Sequence, residues 1–214
     1  MVRFYSASDI TGQPAFSRRD LIVVVVLLLA GGALGLPALQ RMSREARRTE
    51  CLENLRTIGA AMSAYVEQNG RRWPHMAKLP SMEDHQPPWP GMAAVLKPFM
   101  GGQEGRLRCP SDVRVLGAES PLRKRFPEKT TYFETEGTSY EWVLQLLYAG
   151  QPVGRDPLAR AEGLGMGPAD QPIVWDFEPF HRHGSEPGSF NILYADFVAR
   201  PERGQLAVPA GRGN

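Results

Sequence analysis

Apolar and polar positions divide the N-terminal third of the chain into two patterns. Leu21 to Leu39 is 19 residues without a charge, and a helix of that length spans about 28 Å, close to the ~30 Å hydrocarbon thickness of a bilayer. Beyond it, apolar residues recur three or four positions apart, as on one face of a helix: Leu52, Leu55, Ile58, Met62, Tyr65 and Val66. Gly70 is a typical helix stop. We therefore predict one helix from about Asp20 to Asn69, with a transmembrane segment over 21–39 and a kink at Pro37.

Three roles for the apolar segment follow from its length and flanks. A removed secretory signal is one, although its apolar stretch is usually only about 7–15 residues long. A permanent anchor is the second, but Arg18 and Arg19 precede the segment while Arg41 and Arg44 follow it, so the positive-inside rule gives no orientation. The third is a stalk that enters a head, and the pattern favours it because the amphipathic half needs a folded domain to cover its apolar stripe.

The remaining chain predicts a small, loop-rich head over 71–200. A short helix is expected at 91–100, a charged irregular segment at 113–137, and a strand or short helix at 139–148. A strand at 173–177 and a hairpin of 189–194 with 197–200 complete the pattern, and the tail 201–214 is expected to be flexible. The predicted fold class is α+β, with the long N-terminal helix packed on a small antiparallel sheet.

The charge and the two cysteines narrow the choice of function. A net charge of +2 over 214 residues gives no reason to expect nucleic acid as a partner. Cys51 and Cys109 form no Cys-x-x-Cys pair, which excludes a zinc ribbon or a thioredoxin-like site. Outside the cytoplasm they can form one disulfide between helix and head, worth ~2–4 kcal/mol. Two free thiols are the alternative.

The residues that could carry chemistry lie near the C-terminus. Asp176, Glu178, His181 and His183, with Asp196 further on, are residue types that bind metals. Their spacing fits no known ligand set, so we expect a solvated or structural role and no resident cofactor. A calcium ion or other metal at His183 and Asp196 is the alternative. The sequence holds neither a Gly-x-Ser-x-Gly turn nor a phosphate-binding loop, so we expect no enzyme; an exported enzyme would need a pocket around Asp176, His183 and Asp196.

The stretch "AFSRRDLIVVVVLLLAGGALGLPALQRM" (15–42) resembles the N-termini of type IV pilins and type II secretion pseudopilins. In that group a short leader ends in Gly, followed by Phe, three residues, Glu and the membrane helix. Here Ala15 stands for the Gly, Phe16 is the first mature residue, and Asp20 stands for the Glu. The resemblance implies a leader at 1–15, cleavage by a prepilin peptidase before Phe16, and an assembly carboxylate at Asp20. An ordinary acid at a helix N-terminus is the other interpretation of Asp20.

Three blocks are more specifically similar to a subfamily of prepilin-like proteins of unknown role that carry a C-terminal His-x9-Asp-Gly signature. These blocks are 36–65, "CPSD" at 109–112 and "HGSEPGSFNILYADFVAR" at 183–200. Here twelve residues separate His183 from Asp196, and Phe197 replaces the Gly. That Gly suits a tight turn with positive φ. Because Phe does not adopt this conformation easily, we expect a different turn.

The resemblance implies a pilin-like, membrane-anchored structural subunit. It would cross the bacterial inner membrane once, with its head in the periplasm or exported, and its partners would be lipid and like subunits that contact it through the N-terminal helix. Gly31, Gly32 and Gly35 allow such close helix contacts. A prepilin peptidase would process the chain, and its new N-terminus would be methylated. With the secretion machinery, the subunit would then assemble into a pilus or a secretion pseudopilus. The alternative is a monomeric exported binding protein that keeps an uncleaved signal anchor.

Overall fold

The computed structural model describes residues 17–82, 88–113, 115–143, 150, 152, 168–181 and 188–202. Of residues 30–32 and 34–35 it describes only the backbone. The predicted leader (1–15) and residues 203–214 of the predicted tail lie outside these ranges. The chain divides into two compact units, Met1–Ser43 and Arg44–Asn214.

The long helix α1 spans Arg18–Gln68, within two residues of the predicted bounds, and continues through Pro37. At its start the Ser17 amide donates to Asp20 Oδ2 at 2.9 Å, and the Asp20 amide donates to Ser17 Oγ at 3.3 Å. These reciprocal bonds satisfy two amide groups that have no partner inside the helix. After its last turn Gly70 has φ +66°, a left-handed conformation that ends a helix and that glycine adopts without strain.

In the first unit the apolar side chains of α1 are exposed. The nine residues 21–29 are each between 41 % and 71 % exposed, and Leu36 and Leu39 are 61 % and 63 % exposed. Within the described part of the chain, no helix combines the length and the apolar character needed to cross a membrane. This finding does not support the transmembrane segment predicted over 21–39. The side chains of residues 30–32 and 34–35, in the middle of that segment, lie outside the described residues.

In the second unit the predicted apolar stripe of α1 is the centre of the core. Leu55, Ile58 and Met62 are completely buried, and Leu52 and Tyr65 pack against the same core. Burying each large apolar side chain contributes roughly 1.5–3 kcal/mol. The stripe packs in one cluster with buried residues of the loops, of a short helix and of the strands: Trp73, Met76, Leu96, Tyr140, Trp142, Ile173, Val174 and Leu193.

A four-stranded antiparallel sheet follows the helix, which confirms the predicted α+β class. Its strands are β1 (Tyr140–Trp142), β2 (Pro172–Asp176), β3 (Asn191–Tyr194) and β4 (Ala199–Pro201), in the spatial order β1-β2-β3-β4. The register pairs Tyr140 with Asp176, Trp175 with Ile192, and Ile192 with Arg200. The predicted strand 173–177 and the predicted hairpin thus lie within two residues of β2, β3 and β4. Residues 144–148 of the segment 139–148, which was predicted as a strand or a short helix, lie outside the described ranges.

In the described part of the chain, three short helices lie between α1 and the sheet. They are α2 (Met92–Leu96), α3 (Pro121–Arg125) and α4 (Tyr132–Glu136), and 3₁₀ turns cover Pro80–Met82, Lys97–Phe99, Glu104–Leu107 and Pro168–Asp170. The irregular segment predicted over 113–137 is therefore wrong where α3 and α4 form. The start of α4 has a local cause, because the Thr131 and Glu134 side chains make the reciprocal bonds of a capping box.

The turn between β3 and β4 has a positive φ, which glycine adopts more easily than other residues. Phe197 has φ +60°, so the expectation of a different turn is wrong. The ring of Phe197 lies 5.6 Å from the ring of Trp73, centre to centre, and Asp196 Oδ1 accepts the Val198 amide at 3.0 Å. These contacts offset the cost of a positive φ in a residue with a side chain, which is of order 1–3 kcal/mol.

Gly59 of α1 lies under this turn, and we predict that Gly59→Ala destabilises the protein. A Cβ atom there would lie 2.8 Å from Leu193 Cδ1 and 2.9 Å from the Phe197 carbonyl oxygen. Overpacking of this kind costs about 1–3 kcal/mol, more than the ~1 kcal/mol that alanine gains over glycine inside a helix. Urea unfolding of the full chain measures the change.

The control is Gly105→Ala, where a Cβ atom would meet no atom within 4 Å. Its free energy of unfolding should stay within about 0.5 kcal/mol of the parent chain. A Gly59→Ala chain as stable as the parent would contradict the close approach of helix and turn.

Candidate functional site

A disulfide between Cys51 and Cys109 fastens α1 to the turn that follows Glu104–Leu107. Both residues are completely buried, and their Cα atoms lie 5.1 Å apart. One helical turn further on, Asn54 Nδ2 donates to the Arg108 carbonyl at 2.8 Å, and Arg106 Nη1 donates to Asn54 Oδ1 at 3.1 Å. The turn is thus held to the helix by one covalent bond and two hydrogen bonds.

A buried acid–imidazole pair lies next to this disulfide. Asp176 is the last residue of β2, and His181 follows after four residues of loop; Asp176 Oδ2 lies 3.2 Å from His181 Nε2, with both side chains completely buried. The same oxygen accepts the Asn191 amide of β3 at 2.7 Å. Burial raises the pKa of the Asp176 carboxyl, against the opposing effects of His181, the Asn191 amide and the positive charge of Arg48.

The pair and the disulfide together form a group that we call the Cys₂–Asp–His cluster: Cys51, Cys109, Asp176 and His181. Each side chain offers one atom able to bind a metal, and these atoms lie within 4.8 Å of one another. His181 Nε2 lies 3.9 Å from Cys109 Sγ, and its Nδ1 lies 3.4 Å from Ser111 Oγ. Thiolate sulfur, imidazole nitrogen and carboxylate oxygen are the donor types that bind Zn²⁺, and in this structure both sulfurs are in the disulfide.

A second buried carboxylate, Asp112, ends the "CPSD" block. It accepts the backbone amides of Tyr132 and Phe133 at 3.2 and 2.9 Å and the Ser139 hydroxyl at 2.7 Å. Burial raises the pKa of the Asp112 carboxyl, and these hydrogen bonds oppose that effect. Because the two amides belong to the first turn of α4, Asp112 supports the start of that helix and joins it to the residue before β1.

Other predicted site residues lie apart from the Cys₂–Asp–His cluster. Asp20 is exposed and bonded to Ser17. Asp196 pairs with Arg200 in the β3–β4 turn, and Glu178 accepts the Tyr132 hydroxyl at 2.8 Å. Three predicted residues fall outside the described ranges: Ala15, Phe16 and His183.

Calcium or another metal was predicted at His183 and Asp196, and of these two residues only Asp196 is described. Asp196 is not part of the Cys₂–Asp–His cluster, which is the group of metal-binding side chains found among the described residues. The enzyme alternative needed a pocket around Asp176, His183 and Asp196, yet the Asp176 side chain is completely buried. The sequence identified Asp176 and His181 as candidate residues, but it did not predict that they lie next to the two cysteines. No spacing within a local stretch of sequence indicates that contact.

No protein-family model, curated protein or solved structure matches this chain. Its function therefore has to follow from its own residues and contacts.

The raised pKa of Asp176 predicts a pH-dependent contribution to stability. The folded pKa lies above the ordinary 3.8, so the folded state favours the protonated acid, and this contribution is full below about pH 3.8 and is lost as the pH rises through the folded pKa. Asp176→Asn cannot ionise. The measurement is urea unfolding of both chains at a series of pH values from about 4 to about 8. The free energy of unfolding of the parent chain minus that of Asp176→Asn should fall as the pH rises.

Asp170→Asn is the matched control, because Asp170 is an exposed carboxylate in a 3₁₀ turn. The corresponding difference for Asp170→Asn is the baseline with which the difference for Asp176→Asn is compared. A difference for Asp176→Asn that is flat or rises with pH would contradict the assignment of Asp176 as a buried acid that resists ionisation.

Proposed function

We propose that the chain is a pilin-like structural subunit, anchored in a membrane by its N-terminal segment and carrying an exported head. The observation that carries this proposal is the contrast along α1. Its residues 21–29 have exposed large apolar side chains, whereas Leu55, Ile58 and Met62 are buried in an α+β unit. Nine consecutive exposed apolar residues are unfavourable in water, so they need lipid or another protein surface as their environment.

The disulfide supports export of the head. Disulfides persist in oxidising compartments outside the cytoplasm and are rare inside it, where thiols are kept reduced. Cys51 and Cys109 are bonded in the centre of the second unit. A head in the periplasm or beyond the membrane agrees with this chemistry.

Processing of the leader separates a pilin-like subunit from a plain anchor. The resemblance around Ala15, Phe16 and Asp20 implies cleavage before Phe16 by a prepilin peptidase. We predict that mass spectrometry of the native chain from the membrane fraction finds Phe16 as the first residue, with a methylated amino group. A chain that retains residues 1–15 would contradict the subunit proposal and favour the monomeric anchored protein.

The monomeric alternative has one observation in its favour. The hydrogen bonds between Ser17 and Asp20 give the Asp20 carboxylate an ordinary role at the start of a helix. In an assembly the same carboxylate would neutralise the free amino group of a neighbouring subunit, because an unpaired charge in an apolar bundle is costly. The two roles can be separated because removing the Ser17 hydroxyl weakens the cap, by taking away the acceptor of the Asp20 amide, and leaves the Asp20 carboxylate unchanged.

We predict that Asp20→Ala reduces contacts between like subunits by about tenfold or more, equal to ~1.4 kcal/mol or more. The measurement is photo-crosslinking in intact membranes from a reactive residue placed at Leu27, a position that is 66 % exposed. Asp20→Glu should retain the crosslinked dimers.

Ser17→Ala is the control, because it removes one capping bond and keeps the carboxylate. It should retain the dimers as well. Equal loss in Ser17→Ala and Asp20→Ala would mean that the carboxylate acts only as a cap, and no dimers in the parent chain would contradict assembly through this helix.

A further inference from the structure

Four buried side chains from separate parts of the chain converge in the Cys₂–Asp–His cluster. Cys51 comes from α1, Cys109 from the turn after Glu104–Leu107, Asp176 from the end of β2, and His181 from the loop that follows. Among the described residues, Asp176 Oδ1 is buried without a hydrogen-bond partner. A buried carboxylate oxygen without a partner is costly. The Asp176 carboxylate therefore has an unused acceptor atom beside Oδ2, the oxygen that faces His181.

The distances in the cluster match a tetrahedral metal site. Zn²⁺ binds sulfur at about 2.3 Å, and nitrogen and oxygen at about 2.0–2.2 Å. Tetrahedral angles then place nitrogen and oxygen about 3.3 Å apart, and nitrogen and sulfur about 3.6 Å apart. The structure has 3.2 Å from His181 Nε2 to Asp176 Oδ2 and 3.9 Å to Cys109 Sγ. All the ligand atoms lie within 4.8 Å of one another, and the two sulfurs, which are bonded to each other, would have to separate.

We propose that the reduced chain binds one Zn²⁺ ion through the thiolates of Cys51 and Cys109, the imidazole of His181 and the carboxylate of Asp176. The disulfide and the zinc complex are then two states of the same four residues. Either state fastens α1 to the turn that holds Cys109.

The exchange between these states balances as a dithiol reaction. A dithiol reductant breaks the S–S bond by supplying two electrons and two protons, and is itself oxidised to a disulfide. Zn²⁺ then displaces the two thiol protons into solvent. In the reverse direction a disulfide oxidant takes up two electrons from the thiolates and two protons from solvent and becomes a dithiol, while the S–S bond forms again and Zn²⁺ is released.

The surroundings of the cluster suit such a complex. A histidine that binds a metal usually has a hydrogen-bond partner at its other ring nitrogen, and His181 Nδ1 has Ser111 Oγ at 3.4 Å. A carboxylate ligand is usually hydrogen-bonded too, and Asp176 accepts the Asn191 amide. Two thiolates, one carboxylate and Zn²⁺ carry a net charge of −1, and Arg48 supplies a positive charge that acts on Asp176.

The test uses the full chain in detergent, reduced with a phosphine, desalted and kept free of oxygen. Co²⁺ serves as the spectroscopic probe, because tetrahedral cobalt with thiolate ligands gives intense visible and near-ultraviolet bands. We expect one Co²⁺ per reduced chain with these bands, and Zn²⁺ should displace it. The oxidised chain should give no such bands. A reduced chain without thiolate-to-cobalt bands would overturn the proposal.

Variants show whether the ligands are the ones named. His181→Ala should weaken Co²⁺ binding by more than about 100-fold, since loss of an outer-shell partner alone costs roughly 10–100-fold. Asp176→Asn, which keeps the shape of the side chain, should weaken it by at least about tenfold. His75→Ala is the control and should bind as the parent does, because His75 is exposed and outside the cluster.

The same variants also distinguish a folded zinc site from metal binding by a reduced chain that has lost its fold. Two thiols of an unfolded chain would bind Co²⁺ without help from Asp176 or His181, so the parent, His181→Ala and Asp176→Asn would then bind equally. Equal binding would overturn the proposal and leave Asp176 and His181 as a hydrogen-bonded pair of the core. The leader and the assembly of subunits do not enter this measurement, so its failure leaves the proposed function untouched.

Discussion

Burial of one face of α1 organises the second unit of this protein. Leu55, Ile58 and Met62 have no exposed surface, and strands, loops and short helices all contribute side chains to the same cluster. Among the described residues the sheet has four short strands, and β1 and β4 contain three residues each. Strands this short have little stability of their own, so the sheet depends on the helix face as much as the helix depends on the sheet.

Buried polar groups then join the parts of the head that the apolar core brings together. Asp112 holds the start of α4, and Asp176 accepts an amide from β3. Each carboxylate loses hydration on burial and recovers part of that cost through hydrogen bonds. A wrong arrangement of the loops would leave these acids without donors. The polar groups therefore favour one arrangement of the loops over others of similar apolar burial.

Local sequence patterns predicted the elements that have a long or regular period. The apolar spacing of α1 is repeated often enough to give its bounds, and β2 is a short apolar run between turn residues. The helices α3 and α4 have five residues each, too few for a periodicity, although the capping box of Thr131 and Glu134 is a local signal that could have been read.

The rest depends on contacts between distant parts of the chain. Phe197 keeps a left-handed backbone because its ring packs near Trp73, and no pattern within the turn contains that partner. Asp176 and His181 were recognised as candidates for chemistry, but their neighbours Cys51 and Cys109 are far away in sequence. The resemblance to pilins concerns residues 15–42, and the predicted cleavage residues Ala15 and Phe16 lie outside the described ranges.

The disulfide also determines how the head bears mechanical load. It closes the segment 52–108 into a covalent ring, with Cys51 on the helix and Cys109 ahead of α3, α4 and the whole sheet. A pulling force applied to α1 before Cys51 passes through the sulfur atoms directly to the chain that forms the sheet. The second half of α1, α2 and the loops between them lie outside this covalent path and share the load only through their non-covalent contacts with the core. A protease that cuts once within this ring would likewise leave helix and sheet covalently joined.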